Sequence, residues 1–571
     1  MSNYTEERPW IPEREATICM WKPDYNRGYI NNMSTSLLVD VVNFSERQLM
    51  AYVKMLKACG FTGIQVTDIC SAWRGSGSWE RVHDCFKTIA NAAHANDMKM
   101  TVWVWAAEFS CHGWHDDDVV YTAADGKSAY DDPRVYAAFD KYYEIYADMA
   151  PYCDRLVAHF YDPGNLWVFE DVIKFTQLLE SKFKSRNPNI KMAMDTWGCP
   201  DDFPQRLVDA GLRDYMLMEL PFLPSWREEG KRAKFREGVK RAGCELGVWG
   251  WYTAEYEIDQ NPSMIVNAKV LQDVYRQMRE QGDHVMRPVY YSEMDSYHVL
   301  NVFSLYCAGH LLINPDADPD ALLAEIAGLI AGEKDKEVLL ESLHLIQDAR
   351  SGDRWETYWW REEGYELGTS NPSAIRERAE ACLSNLKAVV ERKKKTNAIS
   401  LPIESWQLMK LMLPHLEQIR RYAEFRIQMA DLETMYANGA DQEALYRRLD
   451  QIWEPVPEYN CIIGLWGQPE SRVQADTVKA FCKKAGIPMP KRATRRFIIK
   501  KRLFEHLCVI QRGQQEPVFV DPCYYEAGLA FGYDETKEVI AEMVEEGLLK
   551  RRENGDVSLT DWETHRYDFN I

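Results

Sequence analysis

Four acidic residues each follow a short apolar run, and groups of this kind can move protons in a reaction. They are Asp162, Asp195, Glu219 and Glu293. A buried parallel strand is a short continuous apolar run, and α/β enzymes place functional side chains at the carboxyl ends of such strands. Cleavage of a glycosidic bond needs one carboxylic acid that protonates the leaving oxygen and one carboxylate that acts as base or nucleophile. We therefore take these four acids as the candidate catalytic residues.

The residues next to each acid indicate which of the four are best suited to proton transfer. Asp162 precedes Pro163-Gly164, a turn that ends the strand, although Asp before Pro-Gly is also common in ordinary turns. Glu219 lies between apolar residues, where a carboxylate is costly to ionise unless it is paired, which suits a general acid or, alternatively, a buried partner of an arginine. Asp162 and Glu219 are the preferred proton-handling pair. Asp195 and Glu293 come next.

Aromatic and further acidic residues accompany these four at the same strand ends. Aromatic residues make up 12% of the chain and include 19 Trp, and carbohydrate sites stack sugar rings on Trp and Tyr. The alternative for any single Trp is packing in a large core. The predicted substrate-binding residues are Asp68, Trp103, Trp105, Glu108, His159, Tyr161, Trp197, Trp249, Trp251, Glu255, Tyr291 and Asp295.

Eight strand candidates alternate with amphipathic helices between about residues 36 and 315, as in a (β/α)8 barrel. An open doubly wound sheet is the alternative, but there is no glycine-rich phosphate loop. The first strand is assigned to Leu37–Val42, with Ala16–Trp21 as the alternative. The other candidates are Gly63–Thr67, Met100–Trp105, Leu156–Tyr161, Lys191–Met194, Tyr215–Met218, Leu246–Trp251 and Pro288–Ser292.

The remaining segments divide the chain further. Residues 1–35 are assigned to an N-terminal extension, 316–482 to a helical domain and 483–571 to a small C-terminal unit. In that unit a helix is followed by a hairpin around Asn554-Gly555, which is typical of a winged helix. The predicted fold class is therefore α/β: a (β/α)8 TIM barrel, then a helical domain, then a winged-helix-like unit.

Composition limits the partners and the compartment. The net charge of −20 argues against nucleic acid and anionic membranes as partners. The 14 cysteines form no CxxC pair, no apolar signal core precedes residue 17, and no apolar stretch approaches a membrane span. We expect a cytoplasmic protein with a small carbohydrate substrate, no cofactor and no metal. A homodimer is plausible.

Two clusters could change that expectation. The stretch 111–118 carries two histidines and three aspartates, which could bind a metal, although most such loops are solvated. A basic run at 495–502 lies near the C-terminal unit, where DNA binding is the less favoured interpretation.

The barrel resembles the bacterial glycoside hydrolase group that includes the α-glucuronidases and N-acetylhexosaminidase-like barrels, together with related uncharacterised families. The likeness is carried by the stretches 159–162 (HFYD), 194–198 (MDTWG), 291–297 (YSEMDSY) and 314–316 (NPD). It implies an inverting or retaining hydrolase of an oligosaccharide or small glycoside. The α-glucuronidases usually carry a β-sandwich domain ahead of the barrel, for which this chain has no room.

Two other functions remain open at this stage. The same carboxylates could hold Mg²⁺ or Mn²⁺ in a metal-dependent sugar isomerase or lyase. A sugar-sensing regulator, with the C-terminal unit contacting DNA, is the third possibility.

Overall fold

The structure is a computed structural model. It describes residues 9–19, 45–67, 78–106, 130–160, 169–196, 199–200, 202–219, 229–250, 266–295, 299–350, 371–395, 398–452, 469–490, 500, 503–504, 507, 516–520 and 533–562.

Eight parallel strands close into a barrel in sequence order, with β1 pairing both β2 and β8. This confirms the predicted (β/α)8 TIM barrel and excludes the open sheet. The strands are β1 Glu13–Cys19, β2 Gly63–Thr67, β3 Lys99–Trp105, β4 Arg155–His159, β5 Lys191–Asp195, β6 Met216–Glu219, β7 Glu245–Gly250 and β8 Tyr290–Asp295.

The first strand corrects the sequence assignment. The strand that closes the barrel is Glu13–Cys19, which overlaps the alternative Ala16–Trp21, while Leu37–Val42 lies outside the described residues. The barrel therefore begins inside the segment 1–35 that had been assigned to an extension. The strand was hard to recognise because Glu13 and Glu15 interrupt its apolar character. Both face the barrel lumen, where Arg155 lies near them.

Helices connect the strands and surround them. They are α1 Glu46–Ala58, α2 Ser78–Ala95, α3 Pro133–Tyr146, α4 Phe169–Arg186, α5 Phe203–Asp209, α6 Glu229–Ala242, α7 Ala268–His284 and α8 Val302–Ile313. Their ends follow from local chemistry. Ser45 and Gln48 form a capping box before α1, and Gly60, with φ of +91°, terminates it in a conformation that glycine adopts without strain.

Strand register decides which side chains enter the lumen. Successive strand residues point to opposite faces, and register partners share a face. Contacts between strands that are not neighbours can only cross the lumen, and Trp249 on β7 reaches Thr17 on β1 in this way. Contacts with helices mark the opposite face, as between Arg236 of α6 and Glu219 of β6. These two kinds of contact identify, independently of each other, the strand face that points into the lumen and the face that packs on the helices.

The chain continues as helices after the barrel. They are α9 Pro319–Ala331, α10 Lys336–Arg350, α11 Pro372–Glu391, α12 Ser405–Ala437, α13 Gln442–Ile452 and α14 Pro469–Ala485. Their buried apolar residues belong to the same hydrophobic cluster as those of the barrel, which runs from Trp10 to Ile487. The predicted helical region and the barrel thus share one continuous core.

The C-terminal unit has a separate core. Helix α15 Tyr533–Glu545 precedes an antiparallel hairpin of β9 Leu549–Arg551 and β10 Val557–Leu559, and Val520 pairs with Val557 on the outer side of β10. A second hydrophobic cluster, from Leu503 to Leu559, joins these elements. The helix and the hairpin lie where the sequence predicts them, and the winged-helix-like assignment of residues 483–571 stays a prediction.

Within the described residues, no helix combines the length and the hydropathy that a membrane crossing requires.

Candidate functional site at the mouth of the barrel

A histidine and an aspartate meet where β4 and β5 end. The Nδ1 atom of His159 lies 2.9 Å from Oδ2 of Asp195, and both side chains are only 2% exposed. His159 is the register partner of Trp105 and Asp195 is that of Met218, which assigns both to the lumen face. Among the four acids predicted as catalytic, Asp195 is the one that the described contacts bring to the barrel interior.

Two tryptophans form the wall beside this pair. The ring of Trp103 on β3 lies edge-on to His159, with centroids 4.9 Å apart. Across the lumen it meets Trp249 of β7 at 4.1 Å, also at a steep angle. Both indoles are buried. The structure therefore brings together four of the predicted site residues as a compact aromatic and charged group at the carboxyl end of the barrel.

Glu219 faces the helices and not the lumen. Its Oε2 accepts a hydrogen bond from Nε of Arg236 at 2.7 Å, and both side chains are fully buried. Arg236 belongs to α6 and also donates to the backbone carbonyl of Met278 on α7. This is the buried ion pair that the sequence left open as the alternative to a general acid.

Glu293 lies on the same outer face, two strands further round the barrel, on β8. Its Oε2 accepts hydrogen bonds from the hydroxyls of Tyr275 on α7, at 2.8 Å, and Tyr291, at 2.7 Å. Burial, with the adjacent Glu293 carboxylate, raises the pKa of Tyr275 well above its usual range. The neighbouring strand makes room with Gly250, because a Cβ there would lie 1.8 Å from the Tyr291 hydroxyl oxygen. Tyr291, predicted to bind substrate, thus packs against the helix side together with Glu293.

Several predicted residues fall outside the described part of the chain and stay predictions. They are Asp162, Asp68, Glu108, Tyr161, Trp197, Trp251 and Glu255. For Trp105 and Asp295 the described part is the backbone, in β3 and β8. The possible metal loop 111–118 also lies outside, as do most residues of the basic run. Lys500 of that run contacts Glu542 and Glu546.

A polar network fills the lumen beneath the mouth, and none of its residues is among the predicted site residues. Glu15 accepts hydrogen bonds from Tyr290 at 2.6 Å and from Thr101 at 3.0 Å, with Arg155 3.6 Å away. Burial raises the pKa of Glu15 to about 7, although Arg155 and the two hydroxyl donors oppose the shift. Gly63 leaves space for it, since a Cβ there would lie 2.9 Å from the Glu15 side chain.

A sequence signal for this network did exist. Polar residues recur at every second position of β1 and β2, as Glu13, Glu15 and Thr17 and then as Gln65 and Thr67. In a parallel barrel whose outer face packs on helices, such a period of two marks the lumen face.

Within the described residues, no three His, Cys, Asp or Glu side chains are grouped closely enough to hold a metal ion. The His159–Asp195 pair supplies two such groups and Glu219 points away from it.

Comparison with known proteins gives likeness in structure alone. No family model matches the chain, and no curated protein matches it in sequence. Among solved structures, it is similar to a GH138 enzyme targeting pectin rhamnogalacturonan II, at 10% identity and a TM-score of 0.44, over 88% of this chain and 68% of that one. An O-GlcNAc hydrolase from Thermobaculum terrenum matches at 9% identity and a TM-score of 0.43, over 83% of this chain and 94% of that one. CpGH84B matches at 10% identity and a TM-score of 0.40, over 77% of this chain and 72% of that one.

Proposed function

We propose that the chain is a glycoside hydrolase that binds a small carbohydrate in the barrel mouth and uses Asp195 and Asp162 as its two carboxyl groups. The observation that carries the proposal is the group formed by His159, Asp195, Trp103 and Trp249 at the carboxyl ends of four strands. Tryptophan faces bind the apolar side of a sugar ring, and a carboxylate binds its hydroxyls or acts at the anomeric carbon.

Asp162 enters the proposal through its place in the chain. It follows His159 by three residues, and His159 is the last residue of β4 and contacts Asp195 on β5. A carboxyl group just beyond β4 and another at the end of β5 come from adjacent strands, whose spacing of about 4.8 Å is compatible with the separation of about 5–9.5 Å that such a pair needs. Asp162 is assigned the proton transfer to the leaving oxygen and Asp195 the role of base or nucleophile.

His159 is proposed to orient Asp195. The short contact between Nδ1 and Oδ2 restrains the carboxylate in one rotamer, so that its orientation is set before substrate arrives. Glu219 and Glu293 are assigned a structural role, because Arg236 and two tyrosines hold them in the helix layer.

The test measures hydrolysis of a panel of 4-nitrophenyl glycosides by the wild type and four variants. Asp195→Asn and Asp162→Asn should each lower kcat by about a thousandfold or more. The matched controls Glu219→Gln and Glu293→Gln remove buried acids at neighbouring strand ends, and their folded fractions should retain turnover. Near-native turnover by Asp195→Asn would contradict the proposal.

Two further measurements distinguish the role of Asp162 from that of Asp195, and the hydrolase from a metal-dependent isomerase or lyase. If Asp162 is the acid, Asp162→Asn should lose less activity on glycosides with a good leaving group, since these need no protonation, whereas Asp195→Asn should lose activity on all of them. Activity that disappears on dialysis against a chelator and returns with Mg²⁺ or Mn²⁺ would support a metal-dependent isomerase or lyase instead.

A further inference from the structure

We propose that Thr17 is a positioning residue that fixes the orientation of Trp249 in the barrel mouth through a hydrogen-bond chain anchored at Glu15. The inference deepens the proposed function, and rests on it in taking Trp249 as a surface on which the sugar ring stacks.

The hydrogen bond at the Trp249 end of this chain lies inside the lumen and joins the two strands that flank β8. Nε1 of Trp249, on β7, donates a hydrogen bond to Oγ1 of Thr17, on β1, at 3.1 Å. Both side chains are buried. An indole has a single polar hydrogen, so this bond restrains the tilt of the ring that packs against Trp103.

At the other end of this hydrogen-bond chain, the Glu15 carboxylate decides which groups donate and which accept. Glu15 accepts a hydrogen bond from the hydroxyl of Tyr290 at 2.6 Å. Burial, with the charge of Glu15, raises the pKa of Tyr290 well above its usual range, which keeps that hydroxyl protonated. Its one hydrogen is committed to Glu15, so its oxygen can only accept, and it does so from Nε2 of Gln65 at 2.8 Å.

The donors and acceptors between Tyr290 and Thr17 follow in the same way. Because the Gln65 amide nitrogen faces Tyr290, its carbonyl oxygen faces Thr17 and accepts the Thr17 hydroxyl hydrogen at 3.1 Å. Thr17 has no other hydrogen to donate, so its oxygen must accept hydrogen bonds, from Trp249 and in its short contact with Ser292. When Glu15 is ionised, every member of this hydrogen-bond chain has one allowed polarity, and the Thr17 oxygen is an acceptor where the indole N–H lies.

The first experiment replaces the hydroxyl by a methyl group of the same shape. Thr17→Val should raise KM on the best 4-nitrophenyl glycoside about fivefold to tenfold, the effect of one lost hydrogen bond, with kcat changed less than twofold. Thr17→Ser keeps the hydroxyl and should restore the wild-type KM. Thr176→Val makes the same change at a buried residue of α4, whose hydroxyl donates to the backbone carbonyl of Val172 at 2.7 Å, and should leave KM unaltered.

A double-mutant cycle then isolates the pair. In the Trp249→Phe background there is no indole N–H, so adding Thr17→Val should have no further effect on KM. An equal increase in both backgrounds would overturn the proposal, because Thr17 would then act without Trp249.

A spectroscopic measurement keeps the inference testable if no glycoside is hydrolysed. In protein labelled with 5-fluorotryptophan, the ¹⁹F resonance of Trp249 is assigned by its absence from Trp249→Phe. It should shift in Thr17→Val, return in Thr17→Ser and stay in place in Thr176→Val. An unshifted resonance in Thr17→Val sinks the positioning role, whereas a shifted resonance without any hydrolysis means that the proposed function alone has failed.

Discussion

Single acidic residues in this barrel differ by the face of the strand on which they lie. Asp195 enters the lumen and contacts His159, whereas Glu219 and Glu293 turn toward α6 and α7. All three end apolar runs and have the same local chemistry. Their surroundings therefore decide which of them can reach a substrate.

The ion pair of Glu219 and Arg236 gives the first prediction at this scale. Glu219→Gln leaves the fully buried guanidinium without its counter-charge and should destabilise the barrel by about 3–5 kcal/mol. Replacing both residues by Met removes both charges and should restore most of that loss. Urea denaturation followed by far-UV circular dichroism measures the two shifts. A double variant less stable than Glu219→Gln would contradict this account.

Glu15 predicts how stability depends on pH. Its pKa is raised from 4.5 to about 7 in the folded state, so between these values the unfolded chain loses the proton that the folded chain keeps. The free energy of unfolding should therefore fall as pH rises from about 4.5 to 7, by up to about 3 kcal/mol from this group.

The variant Glu15→Gln isolates that contribution. It cannot ionise, so its denaturation midpoints should change less between pH 4.5 and 8 than those of the wild type. The same slope in both proteins would show that Glu15 does not carry the effect.

At the scale of elements, substitutions at two glycines test how closely neighbouring elements of the barrel pack. Gly250→Ala on β7 would bring a Cβ to 1.8 Å from the Tyr291 hydroxyl and 2.9 Å from Glu293, so these two side chains must move. We expect a loss of about 1–3 kcal/mol. Gly230→Ala in α6 is the matched control, since no atom of the described residues lies within 4 Å of its Cβ. There the higher helix propensity of alanine should raise stability by about 0.5–1 kcal/mol. Thermal melts of both variants should shift in opposite directions.

At the scale of the whole molecule, two hydrophobic clusters predict two unfolding units. The barrel and the helices after it share one cluster, and the C-terminal unit has its own. Leu386→Ala in α11 and Met543→Ala in α15 each truncate a fully buried side chain and should cost about 2–5 kcal/mol. Hydrogen exchange should detect the first loss across the barrel and helices, and the second within residues 503–559 alone. Faster exchange throughout the chain in Met543→Ala would mean that the two clusters unfold together.

The sequence by itself determined the alternation of strands and helices from β2 to β8, the helices that follow and the hairpin near the C-terminus. Apolar periodicity, helix caps and turn residues are local signals, because each depends on residues that lie close together in sequence. It missed β1 as the first choice because the charged residues of that strand are stabilised by Arg155 from the far side of the lumen, which no local pattern reveals.

Only the tertiary structure decided which strand-end acids share the mouth. The side-chain period of a strand is two, so a strand that ends one residue earlier or later sends its last acid to the opposite face. Asp195 and Glu219 each end a strand, yet closure and register give the first to the lumen and the second to the helices. The same closure joins Trp249 to Thr17, 232 positions apart in sequence, because β1 and β7 both pair with β8 and their inward side chains meet in a narrow, filled barrel.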